Sequence, residues 1–263
     1  MSTVSYAVSD SMTMLRRNLK RMMRYPSMTL LIIGMPIVFL LLFVYVFGGT
    51  LGAGIGGLVG GRAEYVKYVA PGILVMTVAS GVQGTAISMA MDMTEGIIAR
   101  FKTMAIYRAS VLTGHVVGSV IQTMIGVVVV FGVALLIGFR TATGPLDLVA
   151  AFGLMVLIAF ALTWLSVGLG LAAKSVETAS NTPMFLILLP FLGSGFVPTG
   201  SMPAAVRYFA EYQPFTPVIE TLRGLLLGTP MGDNGLLAIG WCVVIAVPAY
   251  LWAKRLYNNH AVR

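Results

Sequence analysis

Residues 16–47 read RRNLKRMMRYPSMTLLIIGMPIVFLLLFVYVF, and this stretch decides the fold class. Five cations crowd its first nine residues, Pro26 follows, and Met28–Phe47 carries no charge. An apolar run of about 20 residues spans a bilayer as a helix, which satisfies its backbone polar groups within the segment. Lys and Arg beside a span mark the side that stays cytoplasmic.

The same grammar repeats along the chain. Six runs read as Met28–Phe47, Tyr65–Met91, Val111–Phe139, Leu146–Ala173, Ala179–Val197 and Leu236–Ala253. They are long and lack the period-two alternation of barrel strands, so six transmembrane helices are expected. The 17 Lys and Arg residues cluster at the run ends. Twelve fall in segments that would share one side of a membrane; five (Arg62, Lys67, Arg140, Arg207 and Arg223) fall on the other. Both termini are therefore expected in the cytoplasm of a multi-pass protein of the cell membrane.

Composition agrees. The chain is 58% hydrophobic and 10% charged, far from the roughly 25% charge of a soluble domain. The net charge of +8 is what basic span flanks produce, so nucleic acid is not an expected partner. The single cysteine, Cys242, excludes an internal disulfide framework or a cysteine metal cluster. The first 25 residues do not read as a signal peptide, because their basic stretch is long and no small-residue cleavage site follows. No internal repeat and no polar linker stand out, so 1–263 is expected as one all-α membrane domain.

Ser9 to Tyr25 forms an amphipathic segment. Val8, Met12, Leu15, Leu19, Met22 and Met23 share one arc; Arg16, Arg17, Lys20, Arg21 and Arg24 fill the next. Ser9 or Asp10 suits the cap, and Pro26 ends the helix. Such a helix at 9–25 lies at the interface, its cations over anionic membrane lipids.

The connection between the second and third runs is the most chemically dense part of the chain. Asp92 and Glu95-Gly96 precede Arg100, Lys102 and Arg108, with Ile97, Ile98 and Phe101 beside them. Acids first and bases later suit a helix dipole. The stretch 92–108 reads either as a solvated loop or as a short helix that passes movement from a soluble partner to the spans.

Three regions together carry a resemblance. The segment from Asp92 through Arg100-Phe101-Lys102 to Tyr107-Arg108-Ala109-Ser110 resembles the coupling region of type 2 ABC exporter permeases, of the daunorubicin-resistance-like class. Leu15-Arg16-Arg17-Asn18-Leu19 leading to Tyr25-Pro26 agrees. So does the course from Phe196-Val197-Pro198 through Gln213-Pro214-Phe215-Thr216-Pro217 to Leu222-Arg223-Gly224, the most specific of the three. Ala105-Ile106 departs from the Leu-Pro found there in many members. The resemblance implies a permease paired with a separate ABC ATPase, which binds ATP and Mg, and with a second permease subunit. It also implies a coupling role for 92–108 and a short external re-entrant helical hairpin at 198–230. The residues independently exclude ATP chemistry in this chain by way of a P-loop, since none of its five lysines follows a glycine.

Within the hairpin, Pro203 is expected to open one helix to Tyr212. Thr216 as cap, with Pro217 in the first turn, is expected to open another that ends at Gly228. Pro214 precedes this second helix, and Glu220 and Arg223, three apart, read as a structural pair. In the spans, Thr77, Gly81, Gly84 and Ser88 share a face, as do Gly114, Gly118, Gln122 and Gly126; small residues there suit close helix packing. Gln83 and Gln122 are the candidate substrate-path residues, and His115 reads as hydrogen-bonded near a span end. Pro36, Pro183, Pro190 and Pro248 are candidate kinks. No acid or base sits deep in a span, which favours an amphipathic cargo and an external energy source over a gradient-driven carrier. A polysaccharide or teichoic-acid exporter permease is the alternative within the class. Neither an HExxH pair nor paired intramembrane aspartates support an intramembrane enzyme.

Overall fold

The computed structural model describes residues 3–24, 26–56, 61–98 and 108–259, and contains helices with no strand among them. Helix α1 (Thr3–Arg24) begins earlier than the sequence suggests. The first span is α2 (Pro26–Leu42), a π-helical turn at Phe43–Phe47 and α3 (Gly48–Gly56). It is followed by α4 (Arg62–Thr94), α5 (Arg108–Leu136) and α6 (Pro145–Ala172). Two short pieces, α7 (Val176–Asn181) and α8 (Met184–Leu188), precede α9 (Ala204–Tyr212), α10 (Phe215–Leu227) and α11 (Asn234–Asn259).

Helix α4 is the axis of the bundle. Its residues Val69–Val82 are buried without a break, so it is enclosed on all sides, as a helix apolar all round must be. At 33 residues it rises about 50 Å, more than the roughly 30 Å of a hydrocarbon core. Helix α6 runs parallel to it: Ser166 Oγ donates to the Val82 carbonyl, and Gly170 lies against Ala86 and Met89. Helix α11 runs parallel to α6, with Gly168 against Trp252 and the Trp164 ring edge-on to Tyr250 at 4.8 Å. Helix α5 is antiparallel to α4, placing Thr123 against Gly81 and Gly126 against Thr77. Thr77 and Gly81 of α4 and Gly126 of α5 thus serve close packing. The ends of α4, α6 and α11 and the start of α5 meet at one end of the bundle, called the basic end here for Arg16, Lys20, Arg24, Lys174 and Lys254.

Among the described residues, five helices are long and apolar enough to cross a membrane: Ile32–Gly54, Arg62–Thr94, Leu112–Leu136, Pro145–Ala172 and Asn234–Asn259. The expected fifth span, Ala179–Val197, is not a continuous helix. It breaks into α7, α8 and a succession of turns. The cause is Pro183 and Pro190, each lacking an N–H and clashing with the preceding turn, while Gly193 and Gly195 further loosen the ladder. By contrast Pro36 and Pro248 lie inside unbroken helices.

This broken segment keeps close to α4. Gln83 Nε2 donates to the Ser180 carbonyl at 2.9 Å, Gly195 touches Gly72, and Tyr65 donates to the Phe196 carbonyl at 3.3 Å. It therefore runs alongside α4 from the level of Gln83 to that of Tyr65, about 27 Å of helix rise. Phenyl rings hold its other flank. Phe191 and Phe196 stack at 4.3 Å, and Phe43 from the π turn lies 4.6 Å from Phe196.

The hairpin forms largely as its prolines dictate. Pro203 caps α9, which ends at Tyr212, and Gly228 closes α10 with φ of +72°, the left-handed conformation glycine adopts freely. One detail differs. Pro214 occupies the cap position of α10, and Thr216 instead donates its hydroxyl to the Ala210 carbonyl at 2.5 Å, tying α10 back to α9.

Candidate functional site

At the basic end, α1 lies along α5. Met14 packs on Gly114, and Asn18 packs on Gly118 while donating to the Gly114 carbonyl at 3.1 Å. A Cβ at either glycine would lift α1 away. This seating delivers the Arg17 guanidinium to Asp92. The Asp92 side chain is fully buried and its Oδ2 takes both the Arg17 guanidinium and His115 Nε2, the latter at 3.0 Å. Three helices, α1, α4 and α5, are joined at one oxygen. A buried carboxylate of this kind stands only with charged or hydrogen-bonding partners, and here it has both.

Asp92 therefore does not face a soluble partner, as its place before Glu95 and Arg100 suggested. It belongs to the last turns of α4. Glu95 is exposed just past the helix end, and Gly96, with φ of +70°, turns the chain out of α4. Arg100 and Lys102 lie outside the described residues; so do the side chains of Arg108 and Arg21. Arg16, Lys20 and Arg24 are exposed on α1, as its amphipathic pattern requires.

The two intramembrane glutamines separate. Gln83 holds the broken segment through Ser180, whereas Gln122 donates to Thr29 Oγ1 at 3.0 Å and lines a cavity of about 630 Å³ among α1, α2, α4 and α5. Only Gln122 is placed to meet a solute there.

A second polar cluster occupies the opposite end. Arg223 is buried, with Nη1 donating to Glu220 at 2.5 Å and Nη2 donating to the carbonyls of Ser194 at 2.8 Å and Tyr68 at 3.1 Å. Its guanidinium lies 4.0 Å above the Tyr68 ring. Gln213 donates to the Leu189 carbonyl at 2.9 Å. Side chains of α10 and of the turn before it thus satisfy backbone oxygens exposed by the broken segment, the condition for irregular chain within a bundle. Pro214 and Pro217 bracket the start of the helix that presents Arg223. Ser194 Oγ, Gln213 Oε1 and Arg223 Nε are buried here without a protein partner among the described residues.

The Glu220–Arg223 pair is legible from spacing; Arg17–Asp92–His115 is not, since it joins residues 75 and 23 apart. One signal was available. An acid between Met91 and Met93, at the end of a long apolar run, needs a cation or a hydrogen-bond donor brought to it.

Apolar helices around a fully enclosed axis, with polar clusters at both ends, define an all-helical multi-pass membrane protein. Residues 10–227 match the ABC-2 type transporter family, and the chain belongs to that family. It is similar to the daunorubicin resistance ABC transporter permease protein of Streptomyces coeruleorubidus, at 29% identity over 96% of this chain and 87% of that protein. It is also similar to the probable doxorubicin resistance ABC transporter permease protein of Mycobacterium tuberculosis, at 24% identity over 71% of this chain and 69% of that one. A third relative is nodulation protein J of Rhizobium meliloti, at 28% identity over 79% of each. The chain is a membrane permease subunit of an ABC transporter.

Proposed function

We propose that this permease moves a hydrophobic or amphipathic substrate (a drug, lipid or glycolipid) outward, driven by a separate ATPase that binds ATP and Mg. Two permease and two ATPase subunits make up the working unit. The basic end is cytoplasmic, both termini lie there, and the broken segment makes the sixth crossing. Glu95, Gly96, Arg100, Lys102 and Arg108 form the surface on which the ATPase pushes, and the hairpin at 198–230 is the external gate.

The observation that carries this reading is the shared Asp92 oxygen. Residues 95–107 join α4 to α5, and Asp92 binds both of those helices to α1 just inside that connection. A push on the connection is received by three helices at once. In vesicles containing the permease and its ATPase, the Asp92→Asn/Arg17→Gln pair is expected to retain ATP hydrolysis while efflux of an amphipathic dye falls at least tenfold. Parental efflux in that variant refutes the coupling role. Efflux that outlasts an inactive ATPase yet collapses with an uncoupler refutes the ATP-driven reading.

A further inference from the structure

The cavity among α1, α2, α4 and α5 has an ordered lining. Lys20 and Arg24 stand at its mouth, both exposed, and neither is held in an ion pair among the described residues. The acids nearby are unequal. Asp92 is committed to Arg17 and His115, while Glu95 lies exposed at the rim. Further in come the hydroxyls of Ser88 and Ser119, half-buried and without a hydrogen-bond partner among the described residues. Gln122 uses one N–H on Thr29, which leaves its carbonyl oxygen and the Thr29 hydroxyl hydrogen available. At the inner limit the Ile32 side chain closes on Gly84. From Glu95 to Gly84 the α4 wall is about 16 Å deep.

Cations, then hydroxyl donors, then an aliphatic wall follow the order of phosphate, glycerol ester and methylene in one leaflet of a bilayer. Unpartnered hydroxyls within a membrane protein are costly without an acceptor, and ester carbonyls supply one. Cations at the helix ends attract anionic headgroups, whose field decays within about a Debye length, so only a headgroup at the mouth gains fully. We infer that this cavity is a binding site for one anionic phospholipid. Its phosphate lies between Lys20 and Arg24, its ester carbonyls accept from Ser88 and Ser119, and its first methylenes lie on Ile32. The lipid is a resident of the site that wedges α1 against α4 and α5, and the inference does not depend on what the permease transports.

The test uses full-length permease in nanodiscs of phosphatidylcholine containing a minor share of phosphatidylglycerol, with lipids retained after extraction read by native mass spectrometry. The parent is expected to retain one phosphatidylglycerol in at least tenfold preference to phosphatidylcholine. Ser119→Leu fills the cavity and leaves the rim charges in place; it is expected to abolish that retention. Should this variant fold poorly, the Ser88→Ala/Ser119→Ala pair removes the donors without added bulk and is expected to lower retention several-fold. Retention at the parental level in folded Ser119→Leu or in the alanine pair overturns the site, because it reduces the preference to surface attraction by α1. Equal displacement by soluble glycerol 3-phosphate also overturns it, by showing that the ligand is a free phosphate ester rather than a lipid.

Discussion

Among the described residues, Asp92 and Arg223 are the two buried charged residues on which separate elements converge, and each responds to substitution in its own way. Asp92→Ala leaves the half-buried Arg17 guanidinium and the buried His115 without their common acceptor. Breaking a buried ion pair on one side costs about 3–5 kcal/mol, so the expected loss is about 3 kcal/mol, given that Arg17 is 30% exposed. Thermal unfolding in detergent measures it. Arg17→Gln/Asp92→Asn, which removes both charges, is expected to recover more than half of the loss, and a double-mutant cycle reports the coupling. Arg223→Lys keeps the charge but not the fork. A single ammonium does not reproduce the reach to Glu220, Ser194 and Tyr68 from one plane, so about 2 kcal/mol of stability is expected to go, with weakened transport. These two residues also mark what sequence reveals. Glu220 and Arg223 are one helical turn apart, and their pairing follows from spacing. Asp92 finds its partners on two other helices: the docking of α1 on Gly114 and Gly118 brings Arg17, and the packing of α5 on α4 brings His115.

At the scale of elements, the broken segment is the informative departure. Its apolar composition and length correctly suggest a stretch that belongs within the bundle, and its prolines read as kinks. What is not local is the close approach of Gly195 to Gly72, which gives the irregular chain a flat wall to lie against. A Cβ on Gly72 would sit 2.5 Å from the Gly195 carbonyl oxygen, so Gly72→Ala is expected to destabilise by about 1–3 kcal/mol despite alanine's better helix propensity. Gly153 on α6 is the matched control. A Cβ there meets nothing within 4 Å, and Gly153→Ala is expected to be neutral or to stabilise by up to about 1 kcal/mol. The same unfolding assay compares the two. If both behave alike, the contact between α4 and the broken segment carries no weight.

For the whole molecule, apolar runs and flanking cations supply five of the helices, three of them to within about three residues, while the first and last run on past Phe47 and Ala253, because the signal marks the apolar stretch rather than the helix end. Orientation is a property of the assembled chain and is tested as such. Cys242 is buried and is the natural background to remove. In a Cys242→Ala chain, single cysteines at Lys174 and Arg207, both exposed, bracket the broken segment. An impermeant thiol reagent is expected to reach Arg207→Cys from outside intact cells and Lys174→Cys only after the membrane is opened. Labelling of both from one side shows that the segment returns to the side it left.

Helix α4 carries Tyr68 near one end and Asp92 near the other, about 36 Å apart along one unbroken helix. Pro71, three residues from Tyr68, interrupts its hydrogen-bond ladder near that end, while the sheathed stretch beyond it moves chiefly by tilting, as a connecting rod does. A tilt of about 5° about the Asp92 end carries the Tyr68 end about 3 Å sideways, more than the reach of the hydrogen bond that its carbonyl accepts from Arg223. The two polar clusters are therefore mechanically in series, and a change in the helix angle set at one is sufficient to unfasten the other.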